Sequence, residues 1–163
     1  MSQTSVAVAG STGSIGTQTL EVVASEPDRF RVSALAATAR RLDLVIEQAR
    51  QVHPDVVVVA ADDPEIERRL SDALPGVEVR LGDGALESLA ESADVVVNGV
   101  VGFAGLPVTV ATLEAGKRLA LANKESLIAA GPVVQRARAT AGAELVPGNP
   151  AIVHHLILFF VPP

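Results

Sequence analysis

Three glycines, Gly10, Gly13 and Gly16, close the apolar run Val6-Ala7-Val8-Ala9, with Ser11, Thr12, Ser14 and Ile15 between them. Glycine at this spacing suits an anion. The backbone can turn sharply, no Cβ blocks close approach, and the first N–H groups of a following helix face the ligand at the positive end of the helix dipole. Thr12 and Ser14 add hydroxyl donors. The pattern G-x-x-G-x-x-G is a variant of the commoner dinucleotide fingerprint G-x-G-x-x-G. A glycine trio is also what a ligand-free turn looks like. Its weight here comes from its place, in the first strand, turn and helix of a chain that goes on alternating the two.

Two further groups of side chains could serve the same ligand. After the second strand, where an NAD-binding unit commonly carries an acidic residue for the ribose hydroxyls, the chain reads Ala36-Ala37-Thr38-Ala39-Arg40-Arg41. An arginine there can pair with a 2′-phosphate, which leans the site toward NADP. The alternative is that Arg40 and Arg41 are solvated charges opening the next helix. The second group follows the apolar stretch Leu119-Ala120-Leu121-Ala122: Asn123 offers an amide, Lys124 a point charge for a phosphate or hydroxyl, and Glu125 an acceptor. At the carboxyl end of a strand these three form a ligand-facing corner. At a helix start, Glu125 and Ser126 would instead be first-turn caps.

The elements that must position these residues can be read from the apolar patterning. A strand ending at Gly10 leads into a helix from about Gly16 to Ala24 with Leu20 and Val23 inward. Phe30 to Ala37 is a strand and Leu42 to Val52 a helix with Leu42, Val45, Ile46 and Ala49 at core spacing. Asp55 to Val59 reads as a strand covered on both faces. Pro64 to Leu74 is a polar helix, Gly76 to Leu81 a short strand, Ala85 to Ser92 a helix, and Asp94 to Asn98 another buried strand. The loop Gly99 to Gly105, the helix Leu106 to Ala115 and the strand Arg118 to Ala122 complete the series. The expected fold is α/β: a doubly wound, Rossmann-like, mainly parallel sheet of six or seven strands in a three-layer α/β/α arrangement. Its ligand edge should gather Gly10 to Gly16, Gly99 to Gly105 and Asn123 to Glu125.

Composition narrows the partners. The 163 residues suffice for one ordinary domain, and the 48% apolar share comes mostly from Ala, Val and Leu, which favours close aliphatic layers. With no Trp or Tyr and a net charge of -6, the chain lacks the stacking surfaces and basic face of a nucleic-acid binder. There is no Cys, hence no disulfide or thiolate metal site. No signal peptide and no run of membrane length is present, so a cytoplasmic location and no membrane partner are expected.

Three motifs together carry a family resemblance: Gly10-Ser-Thr-Gly-Ser-Ile-Gly-Thr-Gln-Thr-Leu20, Asn98-Gly-Val-Val-Gly-Phe-Ala-Gly105 and Leu121-Ala-Asn-Lys-Glu-Ser-Leu127. From about Val6 to Pro147 the chain resembles 1-deoxy-D-xylulose 5-phosphate reductoisomerase. The resemblance implies an NADPH-binding domain over residues 1–147, in a usually homodimeric enzyme of the non-mevalonate isoprenoid pathway that rearranges and reduces 1-deoxy-D-xylulose 5-phosphate to 2-C-methyl-D-erythritol 4-phosphate. By position it implies that Thr12, Gly13, Ser14 and Ile15 hold the NADPH diphosphate. Asn123 and Glu125 lie nearer the nicotinamide half, and Lys124 reaches the sugar phosphate substrate. Around the 2′-phosphate, Thr38, Ala39 and Arg40 replace the family's usual Gly followed by Lys, Ser or Asn, and Arg40 supplies the cation.

The resemblance fails after Leu145-Val146-Pro147. There the family reads Val-Asp-Ser-Glu-His, whose carboxylates bind Mg or Mn, and this chain reads Gly148-Asn149-Pro150-Ala151-Ile152-Val153-His154-His155. Residues 148–163 therefore form a divergent tail where the metal-binding catalytic domain would begin, as in a truncated or frame-shifted product. The adjacent His154 and His155 point differently on any regular element and have no carboxylate nearby in sequence, so the expected metal ligands are none. Expected catalytic residues are also none, and the chain alone is expected to be inactive. Two other readings stay open: a stand-alone NADPH-binding module without turnover, and another dehydrogenase sharing the glycine turn, such as a semialdehyde dehydrogenase, against which the absent cysteine nucleophile counts.

Overall fold

The run Val6-Ala7-Val8-Ala9 is buried on both faces, and the sheet is built outward from it. The computed structural model describes residues 3–122, 131–142, 144–147 and 158–161. Strand β1 (Thr4–Ala9) pairs in parallel with β2 (Phe30–Thr38) on one side and β5 (Val95–Asn98) on the other. β3 (Val56–Ala60) and β4 (Glu78–Leu81) extend the sheet beyond β2, and β6 (Arg118–Leu121) extends it beyond β5, all in parallel. In the order β4-β3-β2-β1-β5-β6 the winding reverses between β1 and β5, the place where such sheets open a crevice for ligands.

Right-handed crossovers place the helices of the two halves on opposite faces. On one face α1 (Ser14–Ser25), α2 (Leu42–Val52) and α3 (Pro64–Ala73) pack Leu20, Val23, Val45 and Leu70 against Val8, Leu35 and Val57. On the other, the 3₁₀ turn Glu87–Glu91 and α4 (Leu106–Glu114) press Leu89 and Val108 onto Ala7, Ala34 and Val96. Helix α5 (Gly131–Ala141) packs Val134 and Ala137 against Leu113 and Leu119. This is the expected three-layer, doubly wound fold. Among the described residues no helix is long and apolar enough to cross a membrane.

Three local differences from the patterning have physical causes. Helix α1 begins two residues before Gly16, because Gly13 takes the N-cap position inside the glycine turn. The segment Ala85 to Ser92 forms 3₁₀ and turn structure around Glu87–Glu91 in place of an α-helix. There the Ser88 hydroxyl donates to the Ala85 carbonyl and Arg80 Nη1 donates to Ser88 and Ser92, so side chains take carbonyls that an α-ladder would use. Finally, β7 (Glu144–Pro147) and β8 (Leu158–Val161) add an antiparallel pair, β8 lying against β6, and bring the sheet to eight strands where six or seven were expected. Part of the stretch read as a tail thus belongs to the sheet.

At the opposite edge from the crevice, one ion-dipole contact joins β1 to the start of β5. Both the Ser5 hydroxyl and the Ser5 N–H donate to Asp94 Oδ2, at 2.6 and 3.0 Å. These bonds, the hydroxyl first, hold the Asp94 carboxyl below its ordinary range. A carboxyl depressed in the folded chain stabilises it at neutral pH, and that contribution is lost as pH falls through the lowered value. Ser5→Ala is therefore expected to move the Asp94 titration upward and to reduce the pH dependence of stability on the acid side. Carboxyl titration by NMR reads the first effect and acid unfolding reads the second; an unmoved Asp94 would sink the assignment.

Candidate functional site

The crevice is built by backbone packed on backbone. Gly10 has φ +82, and its N–H and that of Ser11 both donate to the Ala36 carbonyl at the end of β2, at 2.8 and 2.9 Å. The Gly99 N–H donates to the Ala9 carbonyl at 2.9 Å, which brings the loop after β5 beside the glycine turn. A Cβ on Gly10 would stand 3.0 Å from the Gly99 carbonyl carbon. One on Gly16 would stand 2.5 and 2.6 Å from Ser11 Cα and C. Only glycine fits both positions, so the motif is required by the approach of α1 and the β5 loop to the turn as well as by any ligand.

The turn opens onto a cleft of ≈ 230 Å³ at the carboxyl ends of β1, β2, β3 and β5, lined on its turn side by Gly10, Thr12 and Gly13 and across from them by Thr38, Ala60 and Val100. The N-terminus of α1 points here without a side-chain cap and without an acidic residue in its first turn. Helix α3 differs: the Asp63 carboxylate accepts from the Glu65 N–H at 2.9 Å and so closes its own N-terminus. The α1 end thus keeps its unpaired N–H groups and its positive dipole for an anion.

Two side chains hold the turn from behind. Arg41 Nη1 donates to the Thr12 carbonyl at 3.1 Å, and Gln48 Nε2, on α2, donates to the Ser11 carbonyl at 2.9 Å. The loop on the far side is held by Asn98, fully buried at the end of β5. Its Nδ2 donates to the Gly105 carbonyl and to Thr109 Oγ1, both at 2.8 Å, and its Oδ1 accepts from the Val100 N–H at 3.1 Å. None of these three roles was read from the sequence. A polar residue closing the apolar run Val95-Val96-Val97-Asn98, or interrupting the apolar stripe of α2 at Gln48, is the signal that could have found them.

Of the residues singled out in the sequence, Thr12 and Gly13 line the cleft, and Ser14 opens α1 with its side chain exposed. Ile15 turns its side chain to the other face of the sheet, against Gly99 and beside Val6 and Val95, so that its backbone N–H is what it can offer an anion. Arg40 is exposed in the 3₁₀ turn Ala39–Arg41 that follows β2. The stretches Gly10 to Gly16 and Gly99 to Gly105 meet at one edge, as expected. β6 runs parallel to β5, and Leu121 pairs with Asn98 at that same edge. Asn123, Lys124 and Glu125, and likewise His154 and His155, lie outside the described residues. Among the described residues there is no group of three or more His, Asp or Glu that could hold a metal ion.

Comparison with known proteins agrees with this geometry. The family model for 1-deoxy-D-xylulose 5-phosphate reductoisomerase matches residues 6–131. The chain is 48% identical over 144 residues to the reductoisomerase of Thermosynechococcus vestitus, covering 86% of this chain and 35% of that protein. It is 49% identical over 148 residues to that of Parasynechococcus marenigrum, covering 86% and 36%. Among solved structures, the Zymomonas mobilis reductoisomerase in complex with NADPH superposes with a TM-score of 0.79 at 37% identity, covering 86% of this chain and 37% of that one. A reductoisomerase in complex with magnesium superposes at 0.80, also at 37% identity, over 86% and 36%. The chain thus spans about a third of the length of the relatives it matches.

Proposed function

The chain belongs to the 1-deoxy-D-xylulose 5-phosphate reductoisomerase family, and from that premise we propose that it binds NADPH in the cleft between the glycine turn and the β5 loop. The observation that carries the proposal is the turn itself: an uncapped helix N-terminus, backbone packed as only glycine allows, and a cleft in front of both. Thr12, Ser14 and Ile15 offer their N–H groups to the anion, those of Ser14 and Ile15 from the first turn of α1, while Gly13, whose own N–H donates to the Gly10 carbonyl, contributes the close approach that a residue without a Cβ allows. The residues present fit a dinucleotide diphosphate. NADPH, once bound, supplies a hydride; the chain's own part is to bind and orient it.

Arg40 is assigned to the 2′-phosphate. It stands where the chain leaves β2, exposed, while Arg41 is engaged with the Thr12 carbonyl. The corner Asn123, Lys124 and Glu125 is assigned to the nicotinamide half and the sugar phosphate, on the strength of the family motif and of β6 ending beside Asn98. Residues 1–147 are the cofactor-binding unit of this scheme, and 148–163 stand where the family's metal-binding segment would begin. In this reading the chain is the NADPH-binding part of a reductoisomerase of the non-mevalonate pathway, located in the cytoplasm. A module that binds NADPH without turnover is the alternative, favoured by the absence of any Asp or Glu from Leu145 to Pro163.

Calorimetric titration tests the cofactor. The chain is expected to prefer NADPH to NADH, and Arg40→Ala to weaken NADPH about tenfold, the weight of one charge-assisted contact of ~1.5 kcal/mol, while leaving NADH unchanged. Equal affinity for the two cofactors in the unaltered chain would overturn the assignment.

A further inference from the structure

Gln48 is 5% exposed and sits in the apolar face of α2 between Val45 and Ala49, a place where an amide costs free energy unless its groups are bonded. Its bond to the Ser11 carbonyl spans 37 residues and reaches the glycine turn. Ser11 is itself fully buried. A peptide unit is planar and trans, so its C=O and its N–H point in opposite directions. With the Ser11 carbonyl drawn inward to Gln48, the N–H at the other end of the same unit, that of Thr12, faces outward, and Thr12 lines the cleft. The other backbone N–H groups ahead of α1 are committed: those of Gly10 and Ser11 to the Ala36 carbonyl, and that of Gly13 to the Gly10 carbonyl at 3.0 Å. The Thr12 N–H has no partner among the described residues.

We propose that Gln48 is a positioning residue for the diphosphate of a dinucleotide, acting through the Ser11 carbonyl to aim the Thr12 N–H at the anion. The proposal rests on the reading of the cleft as the NADPH site. It needs no contact between Gln48 and the ligand. What it requires is that the turn keep one peptide orientation before the ligand arrives, so that binding does not also have to reorder it.

The test uses the full chain labelled with ¹⁵N and titrated with NADPH. In the unaltered chain the Thr12 amide resonance is expected to move downfield as the N–H bonds the diphosphate. Gln48→Met keeps the length and the helix preference of the side chain but cannot donate. It is expected to raise the Kd for NADPH about tenfold and to shrink the Thr12 displacement, while affinity for adenosine 2′-monophosphate, which has no diphosphate, holds. Gln48→Asn, one methylene short of the Ser11 carbonyl, is expected to act in the same direction and serves if the Met variant does not fold. An unchanged Kd and Thr12 displacement would overturn the inference, and so would an equal loss for both ligands, which marks general damage. No NADPH binding by the unaltered chain would overturn the proposed function and this inference together.

Discussion

Gly16→Ala is expected to abolish measurable NADPH binding and to destabilise the fold by ~3 kcal/mol or more, at the upper end of what forcing one methyl into packed backbone costs. The new Cβ would lie 2.5 and 2.6 Å from Ser11 Cα and C, and closer still to the Gly10 carbonyl oxygen. None of these is the end of a flexible side chain that could swing away. Either α1 retreats from the sheet or the turn moves outward, and in both cases the N–H groups of Thr12, Ser14 and Ile15 lose their common focus. A loss of more than about a hundredfold in affinity follows from ~2.7 kcal/mol of lost contacts. Gly131→Ala is the control, because its Cβ would meet nothing within 4 Å and its backbone is helical. That change should leave binding untouched and be neutral or slightly stabilising. Thermal melting and calorimetry on both variants decide the matter: a Gly16→Ala chain that binds as the parent does would mean that α1 does not approach the turn as described.

The same contact explains what was legible in the sequence. Apolar periodicity placed every parallel strand, because Val6 to Ala9, Val56 to Val59 and Val95 to Val97 are continuous runs that only a covered sheet accepts. The glycines placed the crevice, since no other residue permits their backbone contacts. What the pattern could not give were long-range bonds between a side chain and a distant carbonyl. Gln48 to Ser11, Arg41 to Thr12 and Asn98 to Gly105 look like solvated or capping residues until the fold brings their partners near. Arg41 shows the difference most plainly: beside Arg40 it reads as a second candidate for the same phosphate, yet its guanidinium braces the turn. Antiparallel β7 and β8 were missed for another reason. β8 is a four-residue strand, and its pairing with β6 and β7 depends on tertiary register that local composition does not encode.

Turnover is the other large effect, and it is expected to be absent: the chain should bind NADPH and yet not oxidise it when 1-deoxy-D-xylulose 5-phosphate and Mg²⁺ or Mn²⁺ are added. In the reaction the resemblance implies, the ketose rearranges to an aldehyde and it is that aldehyde that accepts the hydride, and the resemblance assigns the rearrangement to a divalent ion held by the family's Asp and Glu after Leu-Val-Pro. Here Gly148 and Pro150 stand in that stretch, and from Leu145 to Pro163 the chain has no carboxylate side chain. His154 and His155 are adjacent, so a regular element would direct them apart, and two neutral imidazoles bind Mg²⁺ poorly beside oxygen donors. Lys124 could still hold the sugar phosphate as a point charge without any reaction following. The assay follows the NADPH absorbance band with purified chain, substrate and either metal, alongside calorimetry that confirms cofactor binding in the same sample. Steady NADPH consumption that falls in Lys124→Ala would overturn the expectation, since it would place substrate, metal and hydride donor together in a chain whose sequence offers the metal no carboxylates where the family has them.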